Sequence, residues 1–211
     1  MHRLKLALLL SLSLSLSLSL SLAPAFAQDT GGWSLDPGVL AAGTDLLQRA
    51  PDREVDALFQ AVHATTQDDR QAQAMCALFA PGADRSLGAL DAAAAQLDPA
   101  SRGRFATAVA DMLVASLQSP PQRWDAAAAK QSLKAAGATA AILHDGFLAG
   151  LNADGNDAAS RTARCRSLRW LLDAMHSRPA PERAAMTRLL LAQGLAQLGN
   201  APGDGATPAA P

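Results

Sequence analysis

Apolar residues recur three and four positions apart along most of this chain and almost nowhere alternate singly with polar ones. That spacing predicts amphipathic helices and hardly any strand. Val55, Leu58, Phe59 and Val62 form one apolar stripe behind Asp52, and Ala72, Met75, Cys76 and Phe79 form another behind Asp68. Asp36–Pro37 and Asp98–Pro99 each pair an N-cap residue with a proline suited to the first helical position. Further helices are predicted over about 86–97, from Pro99 through Phe105, Val109, Met112 and Leu113 to just before Pro120–Pro121, and over about 123–136, with Gly137 as the C-terminal glycine. The segment 138–153 follows. A Cys165 helix over about 157–177 and a last helix over 182–198 are separated by Pro179 and Pro181. The sum is an all-α, single-domain bundle or array of about eight helices over residues 36–199.

The first residues depart from this pattern. Arg3 and Lys5 precede an apolar run from Leu6 to Leu22, and Ala25-Phe26-Ala27 supplies small residues at a cleavage position. These are the parts of a secretory signal peptide, cut between Ala27 and Gln28. The competing reading is a membrane anchor, which needs ~20 predominantly apolar residues. Serines at every second position from Ser11 to Ser21, followed by Pro24, make a weak span. Residues 28–35, with Trp33, then form a short N-terminal arm, and residues 200–211 read as a disordered Gly/Pro/Ala tail. The protein is therefore expected in the periplasm or outside the cell, with no membrane insertion once the signal is removed.

Cleavage alters the charge balance. The whole chain carries 18 Lys+Arg against 19 Asp+Glu; without Arg3 and Lys5 the balance is 16 against 19, a net charge of −3. No clustered positive surface is evident, so nucleic acid is a poor partner. Tyr is absent and aromatic residues make up 4% of the chain. Carbohydrate platforms and single-strand stacking surfaces, which need several exposed rings, are disfavoured as well.

Export also bears on Cys76 and Cys165. An even cysteine count in an oxidising compartment favours a disulfide. Both lie on apolar stripes, Cys165 with Leu168, Leu172 and Met175, so both thiols point toward the core. The sharper alternative is a reactive Cys165 thiolate stabilised by Arg161, Arg164, Arg166 and Arg169.

Other candidate chemistry is sparse. His144 shares a stripe with Ala140, Phe147, Leu148 and Leu151, which predicts a partly buried ring. His144 and Asp145, as helical neighbours, would point about 100° apart. His63 and His176 have no Asp, Glu or Cys three or four residues after them in a metal-binding pattern. Residues 152–157 superficially resemble a calcium loop, but the sixth and twelfth positions hold Asp157 and Ala163 where Gly and Glu are required. Gly146 and Gly150, four apart in an Ala-rich stretch, suggest a close helix approach, with a dimer seam as the alternative. A decayed duplication could relate Leu90-Asp91-Ala92 with Pro99 to Leu172-Asp173-Ala174 with Pro181. No catalytic residues, metal ligands or cofactor are assigned.

The expected function is non-catalytic binding of another envelope protein, of inhibitor, adaptor or immunity type. A periplasmic helical chaperone or stress protein is the first alternative. Leu97–Arg102 and Pro179–Arg183 resemble the Leu-Thr-Pro-x-x-Arg-like helix starts of small periplasmic stress proteins, whose Met- and Glu/Gln-rich composition this chain lacks. An enzyme of unrecognised type is the second alternative. Oligomeric state is left open.

Overall fold

The computed structural model describes residues 37–84 and 87–199. The signal peptide with its Ala27/Gln28 cut, the Trp33 arm and the 200–211 tail lie outside the described residues. Among the described residues there are nine α-helices and no strand, in a single all-α domain closed by one disulfide. They are α1 (Pro37–Arg49), α2 (Asp52–Thr66), α3 (Asp69–Ala77), α4 (Leu87–Ala95), α5 (Pro99–Gln118), α6 (Ala126–Leu143), α7 (Phe147–Leu151), α8 (Ala158–His176) and α9 (Ala180–Gly199). No helix among the described residues is long and apolar enough to cross a membrane.

Aspartates open four of these helices. Asp68 accepts from the Gln71 amide, Asp98 from Ser101, Asp125 from Ala127 and Ala128, and Asp157 from Ser160. Each satisfies backbone N–H groups that the first turn leaves without an intrahelical partner. The Asp98 cap also joins two helices: its carboxylate accepts from Gln71 Nε2 at 3.0 Å while its own amide donates to Gln71 Oε1 at 3.1 Å.

Helix α2 lies at the centre, packing against α9, α5, α3 and α8; α1 rests on α9 and α5, and α6 on α9 and α8. The core is built from few large side chains. Phe59, Phe147, Met175 and Met186 fill one cluster with Ala136, Ala140 and Ala174, and Val55 meets Ala50 and Ala184 in another. Fully buried alanines let the helices come close, and the apolar area each contributes is correspondingly small.

Three expectations need correction. Gly137 does not end its helix: α6 starts at Ala126 behind the Asp125 cap and runs through Gly137 to Leu143. A glycine inside a helix costs about 1 kcal/mol, and burying Ala136 and Ala140 in the main cluster outweighs that. Gly146 and Gly150 do not share a long helix either. Gly146 takes a left-handed conformation (φ 83°) before the five-residue α7. Gly150 presses on α8, where a Cβ would collide with Ser167 Oγ and the Ala163 carbonyl. The close approach is thus within the chain, and Gly150 is covered by α8. Phe79 leaves the predicted stripe, because α3 ends at Ala77, and its side chain is 60% exposed. The two halves of the suggested duplication also differ, Leu90 lying in the nine-residue α4 and Leu172 in the nineteen-residue α8.

Candidate functional site

Cys76 on α3 and Cys165 on α8 form a disulfide, with Cα atoms 5.3 Å apart and a sequence separation of 89. This replaces the thiolate reading of Cys165, since neither sulfur is free. The arginines around it have another task. Arg164 is 6% exposed and donates through Nη1 to the carbonyls of Ala153 (2.5 Å) and Gly155 (3.4 Å), and Arg161 bonds the carbonyl of Asn156. Guanidinium groups thus hold the carbonyls that a calcium ion would need in the 152–157 turn. Asp157 is committed to Ser160, whose side chain and amide hold its carboxyl below the ordinary range. The turn is an interhelix connection with its own cations.

A polar cluster joins α2, α8 and α9. Asp56, Gln60, His63 and Gln67 fall at i, i+4, i+7 and i+11, a single face of α2. That face meets Asp173 and His176 in the last turn of α8 and Arg183 in the first turns of α9. His63 Nε2 lies 2.9 Å from Asp173 Oδ1, and Gln67 Nε2 donates to the same oxygen at 3.3 Å. The His63 and His176 rings stack at 4.0 Å, nearly parallel. Arg183 forms a two-point bond to Asp56 at 2.8 and 2.9 Å. With the Gln60 amide nitrogen donating to His176 Nδ1 at 3.2 Å, its oxygen accepts from Arg183.

His176 is exposed overall, but partial desolvation of its ring, reinforced by the neighbouring His63 and Arg183, shifts its pKa below the usual histidine value of 6.5; Asp173 and Asp56 oppose the shift more weakly. A histidine whose pKa is lower in the fold than in the unfolded chain binds more protons once unfolded, so acid favours unfolding. Stability is expected to fall as pH drops below about 6.5, and His176→Gln should flatten that fall between about pH 7 and 5. The carboxylates of Asp98 and Asp157, held below 3.8, do not titrate in that window. Thermal melts across that range read the effect directly; equal pH slopes for the two proteins would contradict it.

His144 is half-buried as expected, its ring 4.5 Å from Trp170 in parallel stacking, but the predicted stripe is broken: α6 ends before it and Leu148 is exposed. Asp145 is exposed in the following turn. Among the described residues, no group of three or more His, Cys, Asp or Glu side chains is arranged to hold a metal ion.

Among the described residues, two shallow concavities have no histidine in their walls. One, of about 290 Å³, borders the disulfide between α3 and α8, with Gln73, Arg161 and Thr162 in its wall. The other is an open groove of about 470 Å³ along α6, α7 and α8, and its walls are almost wholly apolar. Gly137 and Ala141 provide small surfaces in it, Leu133, Leu148, Leu151 and Leu171 provide large ones, and Lys134 supplies a cation. Leu148 in its wall is 61% exposed, and Ile142 and Leu143, at the end of α6 and outside the groove's lining, are 83% and 68% exposed. Large exposed apolar side chains grouped in this way mark interaction surfaces on soluble proteins.

The sequence reading missed both the polar cluster and this groove. His63 and Asp173 are 110 residues apart, so local spacing could not pair them. The groove had one signal in sequence, the leucines Leu148 and Leu151 that line it after Gly146. No protein-family model matches the chain, and neither a curated protein nor a solved structure shows significant similarity to it.

Proposed function

We propose that this is an exported, disulfide-stapled helical module that acts by docking onto another envelope protein, with the α6–α7–α8 groove as the docking surface. The observation that carries this reading is the groove itself: large apolar walls around small residues, open to solvent, with one cation. Such a surface suits an amphipathic helix, whose apolar face would fill the groove while an acidic residue meets Lys134. The chemistry of the occupant follows from those features: leucine-like anchors at i, i+3, i+4 and i+7, flanked by Asp or Glu. The disulfide supports the exported setting, since such bonds persist in oxidising compartments.

The test compares the protein with a Leu148→Asp/Leu151→Asp variant, both immobilised and challenged with envelope extract. The expected result is one stoichiometric partner held by the first and lost from the second, with the melting temperature of the variant within a few degrees. Equal retention by both forms would remove the groove from the account.

A further inference from the structure

We infer that α5 is a self-association surface and that two copies of this chain pair through antiparallel α5 helices. Helix α5 has twenty residues, about 30 Å in length. Its inner side buries Ser101, Ala108 and Ser116 and packs on α1 and α2. Its outer side is apolar over three turns. Ala106 and Ala110 are exposed, as are Val109 (39%), Leu113 (39%), Val114 (55%) and Leu117 (76%).

The order of sizes along that face identifies the occupant. Gly103, Ala106, Ala110, Leu113 and Leu117 follow one another at steps of three, four, three and four residues, the seam of a coiled coil. The small residues fill its first half and the leucines its second. A parallel pairing would set glycine on glycine and leave a gap at one end. A twofold axis between Ala110 and Leu113 instead sets Ala110 against Leu113 and Ala106 against Leu117, in both directions at once. That is the self-complementarity an isologous dimer requires. A Cβ built on Gly103 meets nothing within 4 Å, so this end of the seam is open.

The charges agree with the same arrangement. Arg102, exposed in the first turn of α5, has no ion pair with a described residue, whereas Arg104 donates to Ser101 Oγ at 2.8 Å and faces Asp98. In the antiparallel pair Arg102 lies beside the partner's α5 C-terminus, where the helix dipole concentrates partial negative charge. Asp111 lies at the level of the axis but is rotated about 100° from Ala110, and Arg53 of α2 offsets its charge. Helices α6, α7 and α8 line the groove and α5 does not. The pairing therefore leaves both grooves free, and it stands whether or not the docking proposal holds.

Sedimentation equilibrium tests the pairing on protein purified with the N-terminus the cell leaves on it. The mass should rise with concentration toward twice that of the monomer. Leu113→Asp/Leu117→Asp should give a monomer with unchanged helicity and melting temperature. Ala110→Leu should overfill the seam and weaken association by roughly 10- to 100-fold. Adding Leu113→Ala to that variant should restore most of the loss, because the axis pairs those two positions. A chain that stays monomeric at every soluble concentration overturns the inference, including one that binds lipid vesicles or a foreign helix through this face. So does a dimer indifferent to the aspartates, or a failure of the Leu113→Ala rescue.

Discussion

Arg188→Met is expected to lower stability by about 2–4 kcal/mol, among the largest single-residue effects in the molecule. Arg188 is fully buried on α9. Its Nη1 donates to the Leu47 carbonyl at 2.5 Å, and its Nη2 to the Ala50 carbonyl at 2.8 Å and to Asp52 Oδ1 at 2.7 Å. Two of these acceptors belong to the end of α1, where carbonyls have no partner in their own helix. The guanidinium thus closes α1, opens α2 and ties both to α9. Methionine fills much of the same volume but leaves the carbonyls without a donor, each costing about 1–3 kcal/mol when buried. Relief of the buried charge and of the unpaired Nε returns part of that. Arg188→Lys should fall between the two, since one ammonium cannot reproduce the fork. The measurement is a urea unfolding midpoint, with an unchanged slope. A loss below about 0.5 kcal/mol, ordinary for a surface change, would contradict this role.

Removing the disulfide, by Cys76→Ala/Cys165→Ala, is expected to cost about 2–5 kcal/mol. The bond spans a sequence separation of 89, for which loop-closure entropy alone gives about 4–5 kcal/mol. The effect should also be uneven. Helix α3 has nine residues, below the length at which a helix is stable alone. Its main attachments are α8, through the disulfide, and α2. Amide exchange in the cysteine-free variant should therefore rise first in α3 and α4, ahead of α2 and α9. Uniform protection loss, or none, would show that the bond is incidental to how α3 is held.

Where the fold was legible in sequence, the signals were local. The caps Asp68, Asp98 and Asp157 announced their helices because each bonds an amide two or three residues ahead. The stripe Val55–Leu58–Phe59 faces the core as its spacing predicts. The misread boundary at Gly137 is the converse case, since burial of α6 is decided by α8 and α9, far away in sequence. The site was less legible than the fold. The cysteine pairing followed from there being two cysteines in a chain expected to be exported. Arg188 with Leu47 and Ala50, and His63 with Asp173, join residues more than a hundred positions apart, and no local period encodes such pairings. Val109 and Leu113 looked like any apolar helix face; only the placement of α1 and α2 on the opposite side of α5 leaves them outward.

The central claim, that this chain works through the α6–α7–α8 groove, is tested most directly by site-specific photo-crosslinking in the producing cell. A photoreactive residue at Leu148 should yield one discrete adduct containing this chain and a second envelope protein, joined within an amphipathic segment of that partner. The same residue at the exposed Gln131, elsewhere on α6, should yield none. Equal adducts from both positions, or none from Leu148, would contradict the account.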